Sequence, residues 1–448
     1  MKIHIVGAGD TGRYLARELS DLKNDVILID ISPGAISSVE EKLDVMTATG
    51  DATCRSLLKS AGVEDSEMFV AVTGVDGVNI LASALAAEMG ARKTIARVDS
   101  PSFFIDQTGF ERGLLKTTAL ACAPRLVSYE MVRCFRSQYV NQVRDYAENA
   151  LTLSAVSVSK LHRDFTDSLN DVENLMDHGV CGVVRDGEFF GLSEIGGIYE
   201  SDVAIILCPH SNFSNSLATL SQNKIAEKVI VIGGGDVGSE LANIMSTDGH
   251  KVTVIDINRK QCEVLAERLS NITVVHGDGT NLVTLEEEGV QDMKAIFSVT
   301  KADEVNLMSS LLARDLGVDS TFALVHRPGY ANVYKKLGVS ATTSAHQLLF
   351  RTVDWMNSPA WVLQSNSFVT NRIEVVEIYI RVNSGLTDQP ISGLGLPKGV
   401  TMLGGMVNGQ FVRGSQNPRF IEGGYYLFIG PTGFGKDLDK NLTKVSKS

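Results

Sequence analysis

The sequence predicts an α/β protein built twice over, in which an open parallel sheet wrapped by helices is followed by a small α+β domain, and the pair is then repeated. Three observations carry that prediction. Residues 3–30, IHIVGAGDTGRYLARELSDLKNDVILID, align without a gap on residues 229–256, VIVIGGGDVGSELANIMSTDGHKVTVID, at an offset of 226 (Gly7 to Gly233, Asp30 to Asp256). GDAT at 50–53 matches GDGT at 277–280, and AVTGVDGVN at 71–79 matches SVTKADEVN at 298–306, both at an offset of 227. Within each copy, short β-branched runs alternate with amphipathic helical patterns, the signature of successive βα units.

The first strand of each copy runs into GxGxxG, at Gly7, Gly9 and Gly12 and again at Gly233, Gly235 and Gly238, and the motif opens a helix. The first glycine makes the tight turn, the second lets a pyrophosphate approach the backbone, and the third permits close helix-to-strand packing, with the helix N-terminus aimed at the phosphates. A lone match is as readily a mere tight turn. Here both matches carry an acid about 20 residues downstream, Asp30 and Asp256, where a carboxylate can accept both ribose hydroxyls and repel a 2′-phosphate. That favours NAD over NADP and leaves NAD, ATP, ADP and AMP unseparated; the competing explanation is a turn or helix-capping aspartate.

Asp51 and Asp278 follow the third strand, where they could accept from an adenine amine or serve as turn residues. Thr73, Gly74 and Thr300 end the fourth strand, at the switch point where open α/β sheets bind ligands. Arg97 could pair with phosphates, and Leu324 replaces it in the second copy. Asp10 and Asp236 sit inside the glycine loops; they would repel a triphosphate if turned inward, and facing solvent or capping the helix is the expected arrangement.

Between and after the copies, residues 151–210 and 367–432 alternate Val and Ile with hairpin-like turns, clearest at RDGEFFG (185–191) and VNGQFVR (407–413). ESDVAIILC (200–208) and EGGYYLFIG (422–430) share a pattern of acid, turn and strand, so these segments read as two copies of one small domain. A chain of 448 residues suggests about three domains at ~150 residues each, and the duplication refines this to four: 1–124, 125–225, 226–345 and 346–448. The connectors Arg125–Asn149 and Ala345–Gln364 carry aromatics at helical spacing, Tyr129, Phe135 and Tyr139 in one, Phe350, Trp355 and Trp361 in the other. The expected arrangement is a helix that packs on its own domain; the sharper alternative is one that crosses to clasp the neighbouring nucleotide domain, since exposed aromatics seek an interface.

A formal charge of −12 argues against a partner held through a phosphate backbone, so nucleic acid is not expected. Six cysteines without a CxxC pair read as reduced thiols, with neither a zinc site nor a disulfide framework. MKIHIVGAGD starts a strand at once, where a signal peptide is not expected, and no apolar run approaches the ~20 residues of a spanning helix. The eight histidines form no HxH or HxxxH pair, and GxSxG, HExxH and a Walker lysine are missing. Twin cofactor loops without a catalytic module point to binding rather than turnover.

In MKIHIVGAGDTGRYLA, VILID, TGDAT, MFVAVTGVDGVNILAS and IARV, and in VIVIGGGDVGSELA, VTVID, HGDGT and IFSVTKADEVNLMSSLLA, the chain resembles the cytoplasmic regulatory subunits of Trk-type potassium uptake systems (TrkA-like), built from two tandem RCK (KTN) units. The resemblance covers nearly the whole chain and implies two Rossmann-like doubly wound parallel-sheet domains, each followed by a small α+β domain of the RCK C-terminal type. It implies no catalysis, no catalytic residues and no bound metal. It implies a ring, typically a tetramer of double units, docked on the inner face of the membrane through a TrkH/TrkG-like potassium transporter. NAD(H), or ATP and ADP, at the nucleotide sites would change the ring's shape and so gate transport. Gly7, Ala8, Gly9, Asp10, Thr11, Asp30, Thr73, Gly74 and Arg97 fall on the family's first-site motif. Two alternatives from other classes are an NAD-dependent oxidoreductase and a scaffold with vestigial nucleotide sites.

Overall fold

The computed structural model describes residues 1–100, 119–137, 140–147, 150–161, 179–195, 197–213, 227–356, 361–380 and 385–446. Four sheets follow one another along the chain. The first contains β1 (Lys2–Val6), β2 (Asp25–Asp30), β3 (Met46–Thr49), β4 (Met68–Ala71), β5 (Thr94–Val98) and β6 (Ala119–Cys122), all parallel, in the order β3-β2-β1-β4-β5-β6. The second is antiparallel: β7 (Gln142–Tyr146), β8 (Leu151–Ser157), β9 (Val180–Arg185), β10 (Glu188–Gly191) and β11 (Val203–Pro209), in the order β10-β9-β11-β8-β7.

The third sheet repeats the first, with β12 (Lys228–Ile232), β13 (Lys251–Asp256), β14 (Thr273–His276), β15 (Ala295–Ser298), β16 (Ser320–Leu324) and β17 (Ala341–Thr343) in the order β14-β13-β12-β15-β16-β17. The fourth repeats the second, with β18 (Val362–Phe368), β19 (Thr370–Tyr379), β20 (Thr401–Val407), β21 (Gln410–Arg413) and β22 (Tyr425–Pro431) in the order β18-β19-β22-β20-β21. A strand order that reverses between β1 and β4, and again between β12 and β15, is that of the doubly wound dinucleotide fold, with its crevice at the reversal.

The chain forms two compact units, each gathered from separated stretches. One comprises Met1–Met131, Lys228–Ile244 and Val252–Asp354 and holds both parallel sheets; the other comprises Val132–Glu227, Met245–Lys251 and Trp355–Ser448 and holds both antiparallel sheets.

In the first unit, the central strands are apolar on both faces because helices cover both sides, as β1 (Ile3, Ile5, Val6) and β4 (Met68, Phe69, Val70, Ala71) show by their complete or nearly complete burial. His4 is the exception in β1, and its two ring nitrogens bond Ser66 Oγ and the Ala61 carbonyl, each at 2.9 Å. Burial pulls its pKa down, so it stays neutral, a core histidine.

Among the described residues, the connectors are helical over Ala123–Arg136 and Ala345–Met356, with β7 and β18 following. Each helix reaches across to the other nucleotide lobe, which is the sharper of the two sequence readings. Ser128 Oγ donates to the Val237 carbonyl at 3.0 Å, and Arg125 lies 3.5 Å from Glu240. In return, His346 and Phe350 pack on Tyr14, with ring centroids 6.0 and 6.4 Å apart. Arg351 and Glu130, at 3.7 Å, tie one connector helix to the other. Tyr139 and the Trp355 side chain lie outside the described residues.

In the second unit, the two hairpins expected from RDGEFFG and VNGQFVR join β9 to β10 and β20 to β21. Asp186 and Gly187 (φ 53° and 84°), and Asn408 and Gly409 (φ 49° and 74°), occupy the left-handed region. Two consecutive positive φ values make the turn that matches strand twist, which Asp-Gly and Asn-Gly tolerate. The two sheets share one core, in which Leu151, Leu153 and Leu207 meet Phe368, Val375, Leu427 and Ile429. Across it the Ala147 N–H donates to Glu377 Oε1 at 2.5 Å, so a buried carboxylate is satisfied.

Leu427 is fully buried in that shared core. Leu427→Ala is expected to cost about 2–5 kcal/mol. Hydrogen exchange should show protection falling in both antiparallel sheets together, while the parallel sheets keep theirs.

Candidate nucleotide sites

Each site grows from a backbone constraint. Gly7 has φ 105°, and a Cβ there would lie 3.0 Å from the Thr73 nitrogen. A Cβ on Gly12 would lie 1.7 Å from the Gly7 carbonyl oxygen, so only glycine lets the helix Asp10–Asp21 sit this close to β1. The second copy repeats both, with Gly233 at φ 102° and a Gly238 Cβ 1.8 Å from the Gly233 oxygen. Gly9 and Gly235 differ in kind: a Cβ on either meets nothing within 4 Å. That open space lies over the first turn of a helix, whose N–H groups have no intrahelical partner. The arrangement fits a pyrophosphate.

Asp30 and Asp256, half-buried at the ends of β2 and β13, brace these loops. Asp30 Oδ2 accepts from the Ala8 N–H at 2.6 Å and its Oδ1 from the Ser32 N–H at 2.7 Å. Asp256 does the same with Gly234 and Asn258, at 2.6 and 2.7 Å. Each carboxylate has further lone pairs, so bracing the loop and accepting ribose hydroxyls are compatible.

Asp51 and Asp278 are exposed, and each closes a turn on the threonine two residues on. Asp51 Oδ1 accepts from the Thr53 N–H at 2.8 Å and its hydroxyl at 2.7 Å; Asp278 and Thr280 repeat both distances. The Thr53 N–H and hydroxyl hold the Asp51 carboxyl below the usual range. Asp10 and Asp236 open their helices as exposed residues, and Asp10 pairs with Arg13 at 2.7 Å.

At the reversal of strand order, Thr73 and Thr300 are held by asparagines that the motif reading passed over. Asn79, fully buried, accepts from the Thr73 N–H at 2.8 Å and hydroxyl at 2.7 Å, and donates to the carbonyls of Thr73 at 3.0 Å and Arg97 at 2.9 Å. Asn306 makes the matching four bonds with Thr300 and Leu324. Asp76 and Asp303 then accept the N–H pairs of Asp99 and Ser100, and of His326 and Arg327, at 2.8–3.1 Å. The repeated VDGVN and ADEVN were the available signal, since an acid and an asparagine recur there at one spacing. Gly74 is exposed with open space at its Cβ, and Lys301 takes its place in the second copy.

The two sites differ in charge. Arg97 Nη1 donates to Thr11 Oγ1 at 3.1 Å, while its Nε and Nη2 bond Asp99 at 2.9–3.1 Å. In the second copy Leu324 is buried where Arg97 stands, Val237 replaces Thr11, and His326 replaces Asp99.

Two dinucleotide folds in one chain, each with a braced glycine loop, define a tandem nucleotide-fold protein. A family model of the TrkA-N domain matches residues 3–112 and 229–345, a little over half of the sequence, and the chain belongs to that family. It is 26% identical over 409 residues to the Trk system potassium uptake protein trkA homolog 1 of Methanosarcina mazei, covering 89% of this chain and 100% of that one. It is 26% identical to the Trk system potassium uptake protein TrkA of Vibrio alginolyticus, covering 94% of each. Among solved structures, the GsuK channel bound to NAD superposes with a TM-score of 0.59 at 16% identity, over 99% of this chain and 79% of that one.

Asn79→Ala leaves a buried N–H and two carbonyls without partners. It should destabilise the first lobe by about 1–3 kcal/mol in denaturant unfolding, with Asn306→Ala doing the same to the second; unchanged midpoints would refute the bracing role.

Proposed function

We propose that the chain is a peripheral regulatory subunit that binds NAD(H), or adenine nucleotides, at its two glycine loops and gates a membrane potassium transporter. The observation that carries this reading is the duplication of one complete cradle: glycine turn, bracing acid, buried asparagine and open N-terminal turn, at matching distances in both lobes. Relatives named as Trk potassium uptake proteins, similar over nearly their whole length, support the transport role. The fold shared with a channel solved with NAD supports the ligand class.

Gly7, Ala8, Gly9, Asp10, Thr11, Gly12, Asp30, Asp51, Thr73, Gly74 and Arg97 form the first site in this reading. Gly233, Gly235, Gly238, Asp256, Asp278 and Thr300 form the second. The four-domain division at 124, 225 and 345 belongs to the same reading. So does a homo-oligomeric ring, a tetramer of double units, held on the cytoplasmic face by the transporter. Among the described residues no helix is long and apolar enough to cross a membrane, which fits attachment through a partner. The subunit works by binding, without turnover of its ligand.

Calorimetry against NADH, NAD, ATP and ADP tests the reading, with Gly9→Ala and Gly235→Ala beside wild type. A methyl at either position meets no protein atom, so thermal stability should hold while nucleotide affinity falls at least about tenfold at the altered site. Asp30→Ala and Asp256→Ala should remove binding in two stages, without NADH oxidation in any variant. If wild type binds none of the four ligands, the reading fails.

A further inference from the structure

Beside the first glycine loop lies a cleft of about 990 Å³ that the glycine motif does not explain. Asp10, Arg13 and Tyr14 line it from the first lobe, Asp303 and His326 from the second, and His346 from the connector helix that follows the second. Three arginines near the loop are each paired with a carboxylate. Arg97 is held by Asp99 at 2.9 Å, Arg13 by Asp10 at 2.7 Å, and Arg17 by Glu18 at 3.3 Å. A pyrophosphate brings net negative charge among these pairs, where Lys42 and Lys301 also line the cleft, and a cation at close range to it is stabilising.

We propose that His346, on the connector helix that follows the second lobe, is a protonatable anchor for the phosphates of a nucleotide held at the first loop, so that one ligand engages both the first lobe and that connector. The inference rests on the nucleotide-binding reading above. The imidazole lies on Tyr14, with centroids 6.0 Å apart and planes inclined by 30°, and Phe350 meets the same ring edge-on at 6.4 Å. Tyr14 lies on the helix that the glycine loop opens, and Asp10 at that helix's start lines the same cleft as His346.

Without ligand the ring is neutral at physiological pH. Burial and the charges of Arg97 and His326 lower its pKa, against the opposing pull of Asp10 and Asp303. The other charged groups around the cleft are Arg13, Arg17 and Lys42 from the first lobe and Lys301, Glu304 and Arg327 from the second. On its own helix, Arg351 pairs with Glu130. A phosphate anion at the loop offsets Arg97 and favours imidazolium, with the added proton drawn from solvent. Binding therefore takes up a proton, and affinity is highest below the free-state pKa and declines as pH rises through the bound-state pKa. The helix that follows the first lobe begins Ala123–Pro124 where this one begins Ala345–His346, so the second loop receives no matching imidazole.

The test is calorimetry of NADH and of ADP between pH ~5.5 and ~8, in two buffers of different ionisation enthalpy, on wild type, His346→Gln and His346→Lys. Wild type should take up protons on binding, with a total affinity change of about tenfold per pKa unit by which the ligand raises the imidazole. His346→Gln should bind weakly at every pH with reduced proton uptake, and His346→Lys should keep the low-pH affinity up to pH ~8. Should His346→Gln fail to fold, the flattened pH slope of His346→Lys decides alone. Binding with wild-type slope and proton uptake in the variants overturns the proposal and leaves the nucleotide reading standing. Absence of NADH and ADP binding to wild type at every pH overturns both.

Discussion

The structure of each nucleotide lobe depends on the approach of one helix to one strand turn. A Cβ on Gly12 or Gly238 would fall within 1.8 Å of the carbonyl oxygen of Gly7 or Gly233, a distance no side chain can occupy. Because hydrogen replaces that Cβ, the helix docks end-on against the loop and its free N–H groups face the crevice. The rest follows from holding the loop in that shape. Asp30 and Asp256 tie its next amide to the second strand, and Asn79 and Asn306 lock the turn on the other side of the strand-order reversal. Two sides of the cradle are thus fixed by protein groups before a ligand arrives, which lowers the ordering cost of binding.

Duplication preserved that frame and let the charges diverge. The bonds that hold backbone in place recur in both lobes within 0.1 Å at the asparagines. Groups that would meet a ligand do not recur: Arg97 becomes Leu324, Thr11 becomes Val237, Gly74 becomes Lys301 and Asp99 becomes His326. A buried hydrogen-bond partner is costly to lose, whereas an exposed charge is cheap to change. The two sites are therefore equivalent in shape and unequal in electrostatics.

Much of this was legible in the sequence, because it depends on local rules. GxGxxG after a strand, an acid closing the second strand, and Asp-Gly or Asn-Gly between apolar runs each specify backbone geometry over a few residues. That each of these lobes is an open parallel sheet followed from the βα alternation, whereas the order of its strands is set by the tertiary fold. The asparagines were harder to read, since Asn79 acts on Thr73 and Arg97, the latter 18 residues away, and a buried amide leaves no periodic trace. The reach of the connector helices was misjudged for a similar reason, since packing on the helix's own domain was the expected arrangement and the structure shows contacts to the other lobe. Aromatic spacing shows that a face must be covered, and only the tertiary fold determines that Tyr14 is covered by His346 and Phe350.

The exchange of connector helices bears on how such a protein could transmit a signal. A ligand shifts a conformational equilibrium only by its differential affinity for the two states. A nucleotide confined to one rigid lobe would stabilise that lobe and bias nothing beyond it. Here the helix after the second lobe packs on the first lobe's loop helix, and the helix after the first lobe bonds the start of the second lobe's loop helix through Ser128 and Val237. Each loop helix is therefore in contact with the helix that follows the other lobe. On the proposed nucleotide reading, binding at either loop would depend on how the lobes are disposed, which is the condition for linkage between ligand and lobe arrangement.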